Sequence, residues 1–183
     1  MTVYLIRHGK TEANEQHLYC GSTDLPLSEG GREELNGLTY AIPNARYLTS
    51  GMLRTEQTLT LLFGSVPHTA EPDLREADFG AFEMQSYEQL KDDPAYQTWI
   101  SGDNEANVPP GGESGIQMRK RVLEAYDRIL ASGQDTVIVT HGGVIAAIME
   151  HLFPWENKNR YQWQPKNGYG YAIQEGHYWK IPK

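Results

Sequence analysis

The sequence predicts an α/β fold with three layers, α/β/α, in which helices cover both faces of a mostly parallel central sheet. Short runs of apolar and β-forming residues mark strands at residues 2–6, 45–50 and 135–140. After each run comes a segment whose apolar side chains recur at helical spacing. Strands that alternate with helices are typical of parallel sheets with right-handed crossovers.

The first half of the chain contains two of these strand and helix pairs. The run at 2–6 is too short for a helix and is bounded by Gly9, which predicts a buried strand. Ser28 before Glu29 is typical of an N-cap and predicts a helix over roughly residues 28–41. Next come a strand at 45–50, a helix at 53–63 and a short strand near 66–69. The expected inward side chains of the two helices are Leu35, Leu38, Ile42, Leu59, Leu62 and Phe63.

The pattern becomes irregular over about residues 71–113. The stretch "EPDLREADFGAFEMQ" has no clear period, and "SYEQLKDDPAYQTWISG" indicates two short helices broken at Pro94. The polar loop "NEANVPPGGES" completes the segment. A long insertion on one side of a domain is usually functional, so we expect this one to cover the active site.

The last third of the chain returns to regular elements. Apolar spacing predicts a helix over about 114–131, a strand in "DTVIVTHGG" and a helix in "VIAAIMEHLF" that ends before Pro154. The tail "YGYAIQEGHYWKI" alternates like a hairpin that turns at Glu175 and Gly176. The expected inward face of the first helix consists of Ile116, Val122, Leu123, Tyr126, Ile129 and Leu130.

Length and composition limit the class of protein. A chain of 183 residues fits a single domain, 1–183, that can bury a core without disulfides. The net charge of −8 argues against nucleic-acid and acidic-membrane partners, because those surfaces bind basic faces. Cys20 is the only cysteine, so no internal disulfide can form and a reducing cytoplasm is the expected location. No apolar stretch approaches a membrane span, and no pattern indicates an oligomeric state.

Two predicted strands end in the same way, with a histidine followed by glycine. In "VYLIRHG" and "VIVTHGG" these are His8 and His141, and parallel strands would bring both to the carboxyl edge of the sheet. Arg7 precedes His8, and Arg54 lies in the helix that follows "YLTS". Two guanidinium groups beside a helix N-terminus suit a phosphate-sized anion. A single strand-end histidine would more often be structural, whereas two in matching contexts, one with an adjacent arginine, favour a site. Taken alone, Arg54 would more often be a solvated helix residue.

Six blocks of the sequence resemble, in order, the motifs of the histidine phosphatase superfamily, also called the phosphoglycerate mutase-like fold. They lie between residues 5 and 143 and are "LIRHGKTEAN", "GSTDLPLSEGG", "TSGMLRTEQT", "LREADFGAFE", "PPGGES" and "VIVTHGG". The short chain is more similar to the compact phosphatases of this family, among them the α-ribazole phosphatases, than to its longer mutases. The resemblance implies a phosphoric monoester hydrolase that needs no metal and no cofactor.

The resemblance also assigns roles to individual residues. It implies that His8 is the nucleophile, which takes the phosphoryl group as phosphohistidine. Glu76 would be the general acid that protonates the leaving oxygen and then helps to activate water. The residues expected to bind the phosphate oxygens are Arg7, Arg54, His141 and, as a polar contact, Asn14.

The chemistry of the groups agrees with these roles. A neutral imidazole attacks phosphorus with one nitrogen only if a partner, such as a backbone carbonyl, keeps the proton on the other. Phosphoryl transfer needs mainly positioning and charge neutralisation, which two arginines and a protonated His141 would supply without Mg²⁺. Glu76 must hold a proton to act as the acid, and only the motif register distinguishes it from Glu71, Asp78 and Glu83.

Three alternatives remain open from the sequence. A mutase would transfer the phosphoryl group instead of hydrolysing it, and a non-catalytic module would only bind a phosphorylated ligand. A metal-dependent hydrolase could use His8 and His141 as ligands, but the chain lacks an HExxH pair and an aspartate cluster. The sequence predicts a small phosphomonoester substrate without identifying it.

Several other residues have more ordinary interpretations. Ser114 is expected to be an N-cap, with substrate contact by Ser114 or Glu113 as the second interpretation. Lys10 is expected to be a solvated lysine and Cys20 an inert small residue. Sheet-edge packing is expected for the C-terminal aromatic residues Trp155, Tyr161, Trp163, Tyr169, Tyr171, Tyr178 and Trp179. In the insertion, Tyr96 and Trp99 are the expected contacts for the organic part of a substrate.

Overall fold

A computed structural model describes residues 1–182, which form a central sheet with helices on both faces. The strands are β1 (Thr2–Arg7), β2 (Arg46–Thr49), β3 (His68–Ala70), β4 (Thr136–Thr140), β5 (Gly170–Gln174) and β6 (His177–Ile181). The α-helices are α1 (Glu12–Glu15), α2 (Glu29–Asn36), α3 (Leu53–Phe63), α4 (Tyr87–Leu90), α5 (Pro94–Ile100), α6 (Gly115–Leu130), α7 (Gly142–Leu152) and α8 (Arg160–Trp163). Short 3-10 helices occupy Pro72–Leu74, Gly80–Phe82 and Pro154–Glu156.

The sheet has six strands in the order β3-β2-β4-β1-β5-β6. The first four are mutually parallel, whereas β5 pairs antiparallel with β1 and β6 antiparallel with β5. The predicted mostly parallel sheet is therefore confirmed. The antiparallel part is the predicted terminal hairpin, whose two turn residues, Glu175 and Gly176, both have positive φ. That backbone geometry matches the right-handed twist of the strands that the turn connects.

Successive side chains of the central strands point to opposite faces of the sheet, so each strand contributes to two apolar layers. Ile138 of β4 packs in the cluster that includes Val122 of α6 and Ile145 of α7. Its neighbours Val137 and Val139 pack in the other cluster, with α3. These two layers account for the almost continuous apolar sequence of β4, all of whose residues are buried.

The register of the two central strands determines where the site lies. Arg7, the last residue of β1, pairs with Thr140, the last residue of β4. The N–H of His8 donates to the Thr140 carbonyl at 2.9 Å, so the ladder continues to the residue at which both strands end. His8 and His141 therefore leave neighbouring parallel strands at the same edge of the sheet.

One helix boundary and two side chains differ from the expectations. Helix α2 ends at Asn36 instead of near residue 41, because Gly37 occupies its C-cap and glycine is a poor helix former. Leu38 and Ile42 consequently lie outside the helix. Ile116 and Leu130 are exposed, at 54% and 38%, whereas the buried stripe of α6 includes Met118 and Val122. Ile116 lies two residues, or about 200° of helical rotation, from Met118, which places it on the opposite side.

Segment 71–113 consists of short elements, as predicted, with α4 and α5 separated just before Pro94. Helices α1 and α8, each of four residues, are additional to the prediction. Within residues 1–182, no helix combines the length and the apolar character that a membrane span requires. The longest, α6, has 16 residues and begins after Ser114, whose hydroxyl accepts from the Gln117 N–H as the expected N-cap.

Candidate active site

The two strand-end histidines lie against each other at the carboxyl edge of the sheet. Their ring centroids are 5.1 Å apart in an edge-on arrangement. His8 is 6% exposed and His141 is fully buried. The prediction that both imidazoles share one crevice is confirmed by this geometry.

His8 is held in one tautomer by its own backbone. Its Nδ1 lies 2.6 Å from the Gly9 carbonyl oxygen, which can only accept, so Nδ1 holds the proton and the Nε2 lone pair is free. Burial, followed by the charges of Arg54 and Arg7, lowers the pKa of His8 well below its ordinary range. The imidazole is therefore neutral at physiological pH, as a nucleophilic nitrogen must be.

His141 differs from the expectation of a protonated imidazole. Burial is the largest cause that lowers the pKa of His141 well below its ordinary range, and the charge of Arg54 is the second. Without a ligand this imidazole is therefore neutral. Its Nε2 lies 2.8 Å from Ser50 Oγ, while its Nδ1 is buried without a hydrogen-bond partner among the described residues.

The two predicted arginines lie in the same crevice and are anchored to backbone carbonyls. Arg7 donates from Nη1 to Pro165 O at 2.9 Å, and its buried Nε has no partner within residues 1–182. Arg54 is 1% exposed and donates from Nη1 to Thr23 O and from Nη2 to Gly21 O, at 2.9 and 2.8 Å. A guanidinium has five N–H donors, so both arginines keep donors for an anion.

Glu83 stabilises the loop that anchors Arg54. Its carboxylate accepts from the backbone N–H groups of Gly21 and Ser22, at 2.9 and 2.8 Å, and from the Thr23 hydroxyl at 2.9 Å. Residues 21 and 23 are those whose carbonyls bind Arg54. Glu83, one of the acidic residues close to Glu76 in sequence, therefore binds backbone groups, and it is not part of the lining of the neighbouring cavity.

Glu76 lies at the N-terminus of α7. Its Oε2 accepts from the Gly143 N–H at 2.9 Å, and its Oε1 accepts from the Ala77 N–H at 3.1 Å. A Cβ at position 143 would lie 2.4 Å from Oε1 of this carboxylate, so only glycine allows the approach. Gly142 similarly gives space to Arg7, whose Cζ would lie 3.1 Å from a Cβ there. The glycines of "HGG" thus pack against two predicted site residues.

Arg121, which the sequence did not single out, positions the backbone around Glu76. It donates to the carbonyls of Asp73 and Arg75 at 2.8 and 2.7 Å and to the Glu76 carbonyl at 3.1 Å. Its guanidinium also forms a bidentate pair with Glu113, with both contacts at 2.7 Å. Glu113 therefore orients Arg121 as well as lining the cavity.

Asn14, Lys10 and Cys20 have different surroundings. Asn14 Oδ1 accepts from the Thr11 N–H at 3.0 Å, which leaves its amide nitrogen as a donor at the cavity that it lines. Lys10 pairs with Glu34 on α2 at 2.6 Å, in agreement with a partly solvated lysine. Cys20 lines the cavity, and burial is the main cause that raises the pKa of its thiol, which disfavours a reactive thiolate.

A cavity of about 300 Å³ lies beside this site, although His8, Arg54 and His141 are not in its lining. Arg7, Asn14 and Glu76 lie in its lining, together with Trp99 of the insertion. Tyr96, the other expected substrate contact, is instead buried behind the lining, with its hydroxyl 2.6 Å from that of Tyr19. Of the C-terminal aromatic residues, Trp163 and Tyr171 are buried in the core, whereas Tyr161 lines the cavity.

Fold and site together define an α/β protein in which two arginines lie near a neutral imidazole at the carboxyl edge of a mostly parallel sheet. The chain matches the model of the histidine phosphatase superfamily (branch 1) over residues 3–177. It is 34% identical over 161 residues to adenosylcobalamin/alpha-ribazole phosphatase of Salmonella typhimurium, covering 83% of this chain and 79% of that one. The chain therefore belongs to the histidine phosphatase superfamily and is a phosphatase, a phosphoric monoester hydrolase.

Solved structures agree with this family. The fold matches a putative alpha-ribazole-5'-P phosphatase of Escherichia coli K-12 with a TM-score of 0.86 at 26% identity, covering 98% and 94% of the two chains. It also matches a phosphoglycerate mutase of Thermus thermophilus with a TM-score of 0.75 at 31% identity, covering 94% and 92%. The predicted phosphoglycerate mutase-like fold and the resemblance to the compact phosphatases are confirmed.

Proposed function

We propose that this phosphatase hydrolyses a small phosphomonoester in two steps, through a phosphohistidine on His8. The strongest support is a set of uncommitted nitrogens at one place: His8 Nε2, Arg7 Nε and His141 Nδ1. The last two are buried without a partner among the described residues, and buried polar atoms are almost always hydrogen-bonded. A phosphoryl group would accept hydrogen bonds from such donors and place its phosphorus beside the His8 lone pair.

In the proposed first step, His8 Nε2 attacks phosphorus as the P–O bond to the alcohol breaks. Glu76 gives its proton to the departing oxygen, so the alcohol leaves neutral. Arg7 and Arg54 neutralise the charge on the equatorial oxygens, which is the main requirement of phosphoryl transfer. The dianionic substrate favours a proton on His141, because an opposite charge stabilises the charged form of a histidine.

In the proposed second step, water attacks the phosphohistidine. Glu76, now ionised, accepts a proton from that water, and the P–N bond breaks to release inorganic phosphate. His8 returns to the neutral tautomer, since Nδ1 keeps its bond to Gly9 throughout. The insertion at about 71–113 would cover this chemistry, because Glu76, Phe79, Trp99 and Glu113 all line the cavity. The substrate would be a small phosphate ester, for which the names of the relatives suggest alpha-ribazole phosphate.

Transfer of the mutase type is the main alternative, favoured by the similarity to the mutase from Thermus thermophilus. It differs from hydrolysis only in which acceptor takes the phosphoryl group from His8. A module that only binds phosphorylated ligands is the second alternative. It would have no use for a nucleophile and an acid in the same site.

The test is hydrolysis of p-nitrophenyl phosphate by the wild type and by His8→Ala. We expect turnover that persists in EDTA, is inhibited by vanadate and is lost in His8→Ala, with an acid-labile phosphohistidine trapped on the wild type alone. A panel containing alpha-ribazole phosphate and phosphoglycerate then distinguishes phosphate release from transfer. Loss of activity in EDTA with rescue by a divalent ion would contradict the proposal, as would phosphate binding without any turnover.

We also propose that the enzyme acts in the cytoplasm on a metabolite, without nucleic-acid or membrane partners. The support is its acidic net charge and its one thiol, Cys20, which cannot form an internal disulfide. Cell fractionation with an antibody against the native protein would test the location.

A further inference from the structure

Away from Arg7, Asn14 and Glu76, which form its proposed phosphate end, the cavity is lined by aromatic and apolar side chains as well as by charged ones. Tyr19, Phe79 and Trp99, hereafter the aromatic lining, are half-buried, with ring centroids 5.3 to 6.0 Å apart. Helices α6 and α7 contribute Met118 and Ala147 to the same lining. Planar apolar groups gain from such surfaces both by burial and by edge-to-face or stacked contact with aromatic rings.

The charged side chains of this outer part are already paired with each other. Of the described residues in the lining, the cations are Arg7, Arg119 and Arg160. Arg7 lies at the phosphate end. Arg119 contacts Glu150 at 3.2 Å, and Arg160 forms an ion pair with Glu105 of the insertion. Each arginine outside the phosphate end therefore has a carboxylate partner inside the same lining.

From these two observations we infer that the leaving-group part of the cavity accepts an uncharged, ring-containing alcohol and rejects an alcohol with a second anionic group. The inference rests on the proposed function, whose site it extends. An incoming carboxylate would meet no unpaired arginine in the described lining and would lie near Glu105 and Glu150. Like charges placed together disfavour the wrong partner strongly. Phosphoglycerate-type substrates, which carry a carboxylate, would be poor.

A matched pair of esters tests the inference directly. Para-methylbenzyl phosphate and para-carboxybenzyl phosphate have the same kind of leaving alcohol and a similar size, and they differ by one negative charge. We expect kcat/KM to be at least about tenfold higher for para-methylbenzyl phosphate, because the carboxylate of the other ester would be repelled by Glu105 and Glu150. Binding of the matching phosphonates, in which a methylene replaces the ester oxygen, should show the same order in calorimetry.

Two variants assign the effect to named side chains. In Glu150→Gln, Arg119 loses its partner, so the ratio of kcat/KM for the carboxybenzyl ester to kcat/KM for the methylbenzyl ester should rise about tenfold. Glu88→Gln is the control, because it removes a carboxylate from an exposed ion pair with Lys91 that is not in the cavity lining.

Trp99→Leu should lower kcat/KM for the methylbenzyl ester by roughly three- to tenfold relative to glycerol phosphate.

The outcomes separate the two proposals. If the neutral phosphonate binds more tightly than the anionic one but no ester is hydrolysed, the phosphatase mechanism is contradicted and the cavity inference is supported. Hydrolysis with equal kcat/KM and equal affinity for the neutral and anionic members would overturn the cavity inference alone. An unchanged preference in Glu150→Gln, or an identical change in Glu88→Gln, would also overturn it, since the preference would then not depend on the paired arginine.

Discussion

At the scale of single residues, the site depends on side chains that act through backbone groups. Arg54 is positioned by two carbonyls of a loop, and that loop is in turn bound by the Glu83 carboxylate. Glu83 is thus a positioning residue that would act on phosphate binding without contacting the substrate. Its substitution should affect all phosphate esters alike, because the phosphoryl group is their common part.

We expect Glu83→Gln to lower kcat/KM about tenfold, because an amide offers one acceptor oxygen where both carboxylate oxygens now accept hydrogen bonds from residues 21–23. The change should weaken vanadate inhibition and be independent of the leaving group. Adding Glu83→Gln to Arg54→Ala should lower kcat/KM little further, since both substitutions remove the same interaction. If Glu83→Gln lowers kcat/KM by the same factor in the wild type and in Arg54→Ala, Glu83 does not act through Arg54.

At the scale of elements, the N-terminus of α7 brings His141 and the proposed acid Glu76 together. His141 is the N-cap of α7, and Gly143, two residues later, donates to Glu76 from a segment 67 residues away in sequence. The absence of a Cβ at position 143 matters because the Glu76 carboxylate occupies that space. The helix therefore positions the acid directly, through one backbone N–H.

Gly143→Ala should consequently resemble Glu76→Gln. Both should slow hydrolysis of glycerol phosphate by about a hundredfold and that of p-nitrophenyl phosphate far less, because nitrophenolate leaves without a proton. Gly37→Ala is the control, since a Cβ there would lie 3.6 Å from its nearest neighbour. An equal effect on both esters would exclude Glu76 as the leaving-group acid.

At the scale of the molecule, two buried neutral histidines, His8 and His141, make stability depend on pH. The pKa of each is lowered in the folded state, mainly by burial, so the unfolded chain binds more protons below its ordinary pKa near 6.5. The contribution of these histidines is complete above that pH and is lost as the pH falls toward their folded values. Each adds a slope of up to about 1.4 kcal/mol per pH unit in that window.

Urea unfolding at pH values between 7.5 and 5.0 should therefore show a falling free energy of unfolding, and His141→Asn should reduce the slope. Asparagine cannot titrate, so the difference between the two slopes isolates the imidazole from the carboxylates. A slope unchanged in His141→Asn would show that the residue titrates alike in the folded and unfolded chains.

The sequence was sufficient for the fold and for the residues that end strands or begin helices. The histidines and arginines could be located because the carboxyl ends of parallel strands meet at one edge, so local pattern determines their position. Glu83, Arg121 and Ser50 could not be recognised in this way. They bind backbone groups or His141 from segments distant in sequence, and no periodicity indicates which carbonyl a loop will present.

Within the insertion at about 71–113, Phe82, Leu90 and Tyr96 pack as a small cluster of their own, separate from the two clusters on the sheet faces. Trp99 packs on this cluster, and Phe79 contacts both it and the main core. Substitutions confined to Phe82, Leu90 and Tyr96 are therefore expected to leave the strands that end at His8 and His141 unaltered. In evolutionary terms, the choice of alcohol can change through the aromatic lining and the ion pairs of the cavity, while the strands that end at His8 and His141 stay the same.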